Sequence, residues 1–153
     1  MVDVQQFVKQ LLVNILLANG DAHLKNWNLL YPDKIAPRLS PAYDIVTTNV
    51  YITNETKYAL NLGKTKQWYQ VSMTHFQAWA AHSGIPWRSI RPHLNATLEQ
   101  AKTLRPQAMQ VLPMNDKHKT ALRLHWQNLH RDFRIETFQY FDFTLSTRKS
   151  ESL

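Results

Sequence analysis

Asp21, Lys25 and Asn26 fall within six residues of one another, in the string Asn19-Gly20-Asp21-Ala22-His23-Leu24-Lys25-Asn26. A carboxylate, an ammonium group and an amide oxygen are the parts that phosphoryl transfer asks of a protein. They supply an acceptor for a hydroxyl proton, a positive charge for the phosphate and an oxygen ligand for a metal ion. A second carboxylate, Asp44, follows in Ser40-Pro41-Ala42-Tyr43-Asp44, after an excursion short enough to return to the same place. Asp21 would accept or orient the proton of an attacking hydroxyl. Lys25 would neutralise the phosphate as a point charge on a flexible stem. Asn26 and Asp44 would offer oxygens to Mg²⁺, an ion that takes one or two carboxylates together with phosphates and water. Each residue alone has a plainer reading: a turn cap, a solvated lysine, an Asn bonded to its own backbone, one more loop Asp. As a set they outweigh it. His23 reads as a residue that packs inward and bonds backbone to fix the loop, rather than as a catalytic group.

Something must deliver this loop. Val4, Phe7, Val8, Leu11, Leu12, Ile15 and Leu16 recur at the spacing that lines one face of a helix over residues 3–18. Asp3 stands where an N-cap would, with Gln6 placed to complete a capping box. Asn19-Gly20 reads as the stop, because both residues tolerate the left-handed conformation. Trp27 to Tyr31, the turn at Pro32-Asp33 and Ile35 to Leu39 read as a hairpin that brings Asp44 back to Asn26, with Pro37 marking an edge. Residues 45–71 read as irregular loop or short strand, with one extended piece at Tyr58 to Gly63. Gly63-Lys64-Thr65-Lys66 lacks the earlier glycine and the strand-to-helix setting of a phosphate-binding loop.

From Ser72 the pattern turns helical. Ser72 is the expected N-cap of a helix carrying Phe76, Trp79 and Ala80, and Gly84 ends it. Pro86 suits the start of the next helix, which buries Trp87, Ile90, Leu94, Leu98, Ala101 and Leu104. Pro92 and Pro106 should kink or divide that helix. Asn115 caps a last helix with Leu122, Trp126, Leu129 and Phe133 on one side. The expectation is a mainly α unit with a small β hairpin over residues 1–143, followed by a polar, flexible tail at 144–153.

The composition agrees with one folded domain: 153 residues, 44% hydrophobic and 11% aromatic. No apolar run approaches the roughly twenty residues that cross a bilayer, and no signal-peptide pattern follows Met1, so no membrane role is expected. The absence of cysteine excludes disulfides and thiolate metal sites, and fits a cytoplasmic protein. The seven histidines show no metal-ligand spacing, which argues against a metal hydrolase. A formal charge of +7 favours anionic partners. The basic residues are scattered, mostly over the later helices, with no DNA-binding motif, so direct nucleic-acid recognition is not indicated.

The N-G-D-x-H-x-K-N string followed by S-P-x-Y-D resembles the catalytic segment of HipA-type toxin kinases, the bacterial serine/threonine kinases of toxin–antitoxin systems. The resemblance is firm over residues 1 to about 65 and looser, through the helices, to about 130. It implies the C-terminal lobe of a protein-kinase-like fold and Mg²⁺- and ATP-dependent phosphoryl transfer to a protein hydroxyl. By it Asp21 matches the catalytic Asp and Lys25 the neighbouring lysine that faces the phosphates. Asn26 and Asp44 match the two Mg²⁺ ligands, and His23 joins them in the cofactor-binding set. Asp44 is then the counterpart of the Asp in the kinase D-F-G motif, with Ile45-Val46 in place of Phe-Gly. The implied partners are a HipB-like helix-turn-helix antitoxin, operator DNA only through it, and a protein substrate, in the best-known cases an aminoacyl-tRNA synthetase. Family members carry an N-terminal lobe with a phosphate-covering loop and a nucleotide-gripping lysine. This chain starts in the helix before the catalytic loop, so that lobe is expected on a separate polypeptide or lost, and the isolated chain is expected to bind ATP weakly. The competing reading is a non-catalytic lobe that keeps antitoxin binding. An aminoglycoside-kinase-type phosphotransferase fits less well, because Gly20 stands where that class has His before the first Asp.

Overall fold

The computed structural model describes residues 1–52 and 54–136. The tail expected at 144–153, and the domain end expected at 143, lie outside them. Helix α1 (Val2–Leu16) buries Val8, Leu12, Ile15 and Leu16, as its periodicity requires. It packs chiefly on α3 (Trp87–Val111), whose Ile90, Leu94 and Leu98 face it from the other side of the core. Truncating a side chain this deep to alanine costs about 2–5 kcal/mol. Helices α2 (Met73–His82) and α4 (Asp116–Asn128) close the core with Phe76, Ala80, Leu122 and Trp126, joined by Leu129 and Phe133.

The start of α1 differs from the sequence expectation. Met1 is the N-cap, with no side-chain bond. Asp3 instead reaches across to the hairpin, accepting from Arg38 Nε and from Leu39 N at 3.1 Å each. Those bonds, the backbone one first, hold its carboxyl below the usual range. The stop also differs. The residue with left-handed φ is Ala18, at 53°, not Asn19 or Gly20. Gly20 leaves room for the Glu55 carboxylate, which a Cβ there would meet at 2.3 Å and push aside.

Strands β1 (Leu29–Leu30) and β2 (Arg38–Leu39) pair antiparallel, Leu29 with Leu39 and Leu30 with Arg38. They form the expected hairpin, shorter than its sequence pattern suggested. Asp33 Oδ1 makes the turn by accepting from Ile35 N and Ala36 N. A second hairpin was not anticipated. Strand β3 (Lys57–Leu62) pairs with β4 (Thr65–Gln67) across a turn at Gly63, whose φ is +62°.

Pro92 and Pro106 do not divide α3, which runs unbroken for 25 residues. A proline inside a helix costs about 3 kcal/mol, and burial of Ile90, Leu94 and Leu98 against α1 outweighs it. Leu104, expected in the core, is 61% exposed. The α3 chain delivers Arg105 to the face of the Trp126 ring, where burial first and Arg123 second lower its pKa to about 9. Ser72 is the N-cap residue of α2, but the cap bond is supplied from afar: Met73 N donates to Asp132 Oδ2 at 2.9 Å. Asn115 caps α4 as expected, its Oδ1 accepting from His118 N at 2.9 Å.

Candidate active site

The loop after α1 is held from both ends. Ala18 O accepts from the backbone and the hydroxyl of Thr48, and Gly20 N donates to that hydroxyl at 2.8 Å. Beyond Gly20 the chain makes one turn of 3-10 helix, Leu24–Asn26, closed by Asn26 N to His23 O at 2.9 Å. This turn sets the spacing of the chemical groups. Asp21 and His23 precede it, Lys25 and Asn26 lie within it.

Asp44 returns to the same place. Asn26 Nδ2 donates to Asp44 Oδ2 at 2.7 Å, across the excursion made by the β1–β2 hairpin. Asp44 adopts φ 56°, the left-handed region that Asp enters more readily than most residues. Asn19 Nδ2 holds its carbonyl oxygen at 3.2 Å. The Asn26 side-chain oxygen is buried and has no hydrogen-bond partner. It belongs to the same amide whose nitrogen touches the Asp44 carboxylate.

Asp21 is exposed at its side chain, 65%, and His23 Nε2 stands 3.1 Å from its Oδ1. The expectation for His23 is corrected here. Its ring does not bond backbone; it faces the Asp21 carboxylate, and its Nδ1 is buried without a partner. Through a hydrogen on Nε2, His23 donates to the Asp21 carboxylate and orients it. Lys25 is exposed. Its backbone oxygen is fixed by Tyr43 OH at 2.7 Å, and that same hydroxyl accepts from Asn28 Nδ2. The two segments are therefore joined at Asp44, by Asn19 and Asn26, and at Tyr43, by Lys25 and Asn28.

Several residues in this arrangement went unassigned at the sequence level. Gln10 and Asn14 are buried on α1, four residues apart and hence on one face. Gln10 Nε2 donates to Ser40 O at 3.1 Å; Asn14 Nδ2 donates to Gln10 O at 2.8 Å and Asn14 Oδ1 accepts from Asn19 Nδ2 at 2.7 Å. A polar chain thus runs from inside the helix to Asp44. The signal was present: two amides inside an apolar helix must be satisfied if buried.

Residues 1–105 match the family model of the HipA-like C-terminal domain. The chain belongs to that family. This HipA-like domain is 35% identical over 133 residues to Y4dM of Sinorhizobium fredii, described as a candidate kinase, covering 86% of this chain and 32% of that protein. It is 37% identical over 60 residues to a candidate kinase of Haemophilus influenzae, covering 38% of this chain and 18% of that one. The chain therefore spans no more than about a third of the length of these relatives. Among solved structures it resembles a HipA, HipB and operator DNA complex of Shewanella oneidensis MR-1, with TM-score 0.64 and 19% identity, over 81% of this chain and 29% of that one. That likeness establishes the mainly helical HipA fold with small two-stranded sheets. Among the described residues no helix is long and apolar enough to cross a membrane.

Proposed function

We propose that this HipA-like domain carries the catalytic groups of a protein kinase that uses Mg²⁺ and ATP and transfers phosphate to a serine or threonine hydroxyl. One observation carries the reading: Asn26 and Asp44, eighteen residues apart, meet at 2.7 Å beside the loop that holds Asp21 and Lys25. The residues fit the ion the family implies. The partnerless Asn26 oxygen and the Asp44 carboxylate are the hard oxygen donors that Mg²⁺ takes. When bound, the ion supplies charge neutralisation to the nucleotide phosphates. Asp21, steered by His23, accepts the proton of the attacking hydroxyl as its oxygen bonds to phosphorus and the bond to the ADP oxygen breaks. Lys25 offsets charge on the transferred group.

The partners follow from the same reading. The Shewanella neighbour is described in complex with HipB and operator DNA. A HipB-like helix-turn-helix antitoxin is proposed here as the partner, with DNA reached only through it. The formal charge of +7 supports an acidic partner surface.

Two measurements test the proposal. Mn²⁺, a paramagnetic stand-in for Mg²⁺, should broaden the Asn26 side-chain amide signals, and the effect should vanish in Asp44→Ala. The transfer assay uses a chimera in which this chain replaces the matched region of the Sinorhizobium relative. Asp21→Ala and Asp44→Ala should each lower phosphate transfer by about a hundredfold or more. Transfer that survives both substitutions removes the catalytic reading and leaves a binding domain.

A further inference from the structure

The end of α1 borders an apolar groove of about 190 Å³, lined by Leu17, Leu104, Ala108 and Ile135 among others. Arg105 also lines it, with its guanidinium over the Trp126 ring. Arg105 Nε and Nη1 are buried and have no hydrogen-bond partner among the described residues. The ring face takes up charge, but the N–H groups still need acceptors. Burial, chiefly, and the neighbouring Arg123 lower the Arg105 pKa to about 9, so the group is still charged near neutral pH. A buried cation without acceptors calls for an anion. Leu104 beside it is 61% exposed, an apolar wall facing water.

We propose that residues 137–145 of this chain dock in the groove, with the Asp142 carboxylate accepting from Arg105 and Phe141 filling the apolar space. Three observations select this segment. First, attachment: Ile135 forms part of the wall and is 3% exposed, so the chain leaves the described residues from the groove itself. Its continuation is held there at high effective concentration, with no second molecule needed. Second, pattern: Phe138, Phe141, Asp142 and Leu145 stand at i, i+3, i+4 and i+7, one face at helical spacing. That face is apolar with one carboxylate, and the groove is apolar with one buried guanidinium. Third, size: an apolar cavity of about 150 Å³ holds a benzene-sized molecule, so 190 Å³ holds one aromatic side chain. Seven residues at helical rise advance about 10 Å, enough to carry Asp142 from Ile135 across such a space. Docking would brace the helix that delivers the catalytic loop, because Trp126, whose ring carries Arg105, also donates to Leu16 O at 2.6 Å.

The test is a double-mutant cycle on the full chain, read by urea denaturation. Asp142→Asn should lower the folded-to-unfolded ratio about tenfold in the wild-type background, the scale of a hydrogen bond between charged groups. In the Arg105→Gln background the same substitution should change nothing, because its partner is already gone. A second reading does not depend on the arginine variant. In Phe141→Ala the methyl signals of Leu17 and Leu104, on the groove walls, should move, while those of the distant Ile35 should stay. The coupling should be the same at low and high protein concentration. An Asp142→Asn effect that is absent, or equal in both backgrounds, overturns the proposal. Coupling that grows with concentration also overturns it, by giving the groove to a second copy. Methyl signals of Leu17 and Leu104 that do not move in Phe141→Ala overturn it as well and leave the groove to an acidic, apolar segment of another protein.

Discussion

Asp44 sits where its backbone is least comfortable, and the strain is offset by what it touches. A side chain with left-handed φ costs about 1–2 kcal/mol, and Asp44 holds 56° with its carbonyl bonded to Asn19 and its carboxylate to Asn26. Asp44→Ala keeps the strain and loses the carboxylate bond; Asp44→Gly loses both. The glycine variant should therefore be the more stable of the two by about 1 kcal/mol, measured by urea denaturation, while both fail to bind Mn²⁺. An alanine variant at least as stable as the glycine variant would contradict the assigned backbone. Tyr43 acts differently. Its hydroxyl ties Lys25 O to Asn28, so Tyr43→Phe should lower stability by about 1 kcal/mol. It should reduce transfer in the chimera roughly tenfold through misplacement of Lys25; unchanged transfer would make the tyrosine structural only. The motif residues were legible in the sequence because their chemistry is local. The hydrogen bonds of Tyr43 and Asn14 were not, because a bond formed only after folding leaves no pattern in the chain.

Helix α4 supports the loop from a distance, by closing the end of the helix that delivers it. The last carbonyls of a helix lack internal partners. Here His125 Nε2 donates to Ile15 O at 2.7 Å and Trp126 Nε1 donates to Leu16 O at 2.6 Å. Trp126→Phe should cost about 1–2 kcal/mol, since Leu16 O then loses this donor. His125 adds a pH dependence. Burial lowers its pKa from 6.5 to about 4, against a smaller opposing effect of the Ile15 bond. Above pH 6.5 the ring is neutral folded and unfolded, and its contribution to stability is complete. Between pH 6.5 and about 4 the unfolded chain takes the proton and the folded one does not, so stability falls as pH falls. Below about 4 both forms are protonated and the loss levels off near 3 kcal/mol as an order of magnitude. Urea midpoints across that window should fall for wild type and flatten for His125→Gln. Equal slopes would mean other groups carry the acid sensitivity. The helices themselves were readable from apolar spacing. Their long-range caps were not, since Asp132 serves Met73 and Trp126 serves Leu16 across separations that local pattern cannot report. Strand β4 was missed for a related reason: Thr65-Lys66-Gln67 has no apolar alternation and is a strand only because β3 pairs with it.

At the scale of the whole molecule two tendencies oppose each other. The formal charge of +7 drives copies apart. The β1–β2 hairpin draws them together, because Leu29, Leu30, Tyr31 and Ile35 are all exposed there, Ile35 at 83%. A two-residue strand pair with apolar side chains on both faces has no core of its own to hide them in. Screening weakens the repulsion within a Debye length of about 10 Å at 0.1 M salt and about 3 Å at 1 M, while apolar attraction is not screened. Self-association of the chain should therefore rise with NaCl, measured by light scattering between about 0.05 and 0.5 M. Ile35→Lys should suppress it at every salt concentration, and stability should stay within about 0.5 kcal/mol because the side chain is solvated. Association that weakens as salt is added would show that opposite charges, not the hairpin, hold the copies together. Association that persists unchanged in Ile35→Lys would move the contact elsewhere, first to the exposed Val111 and Leu112 at the end of α3.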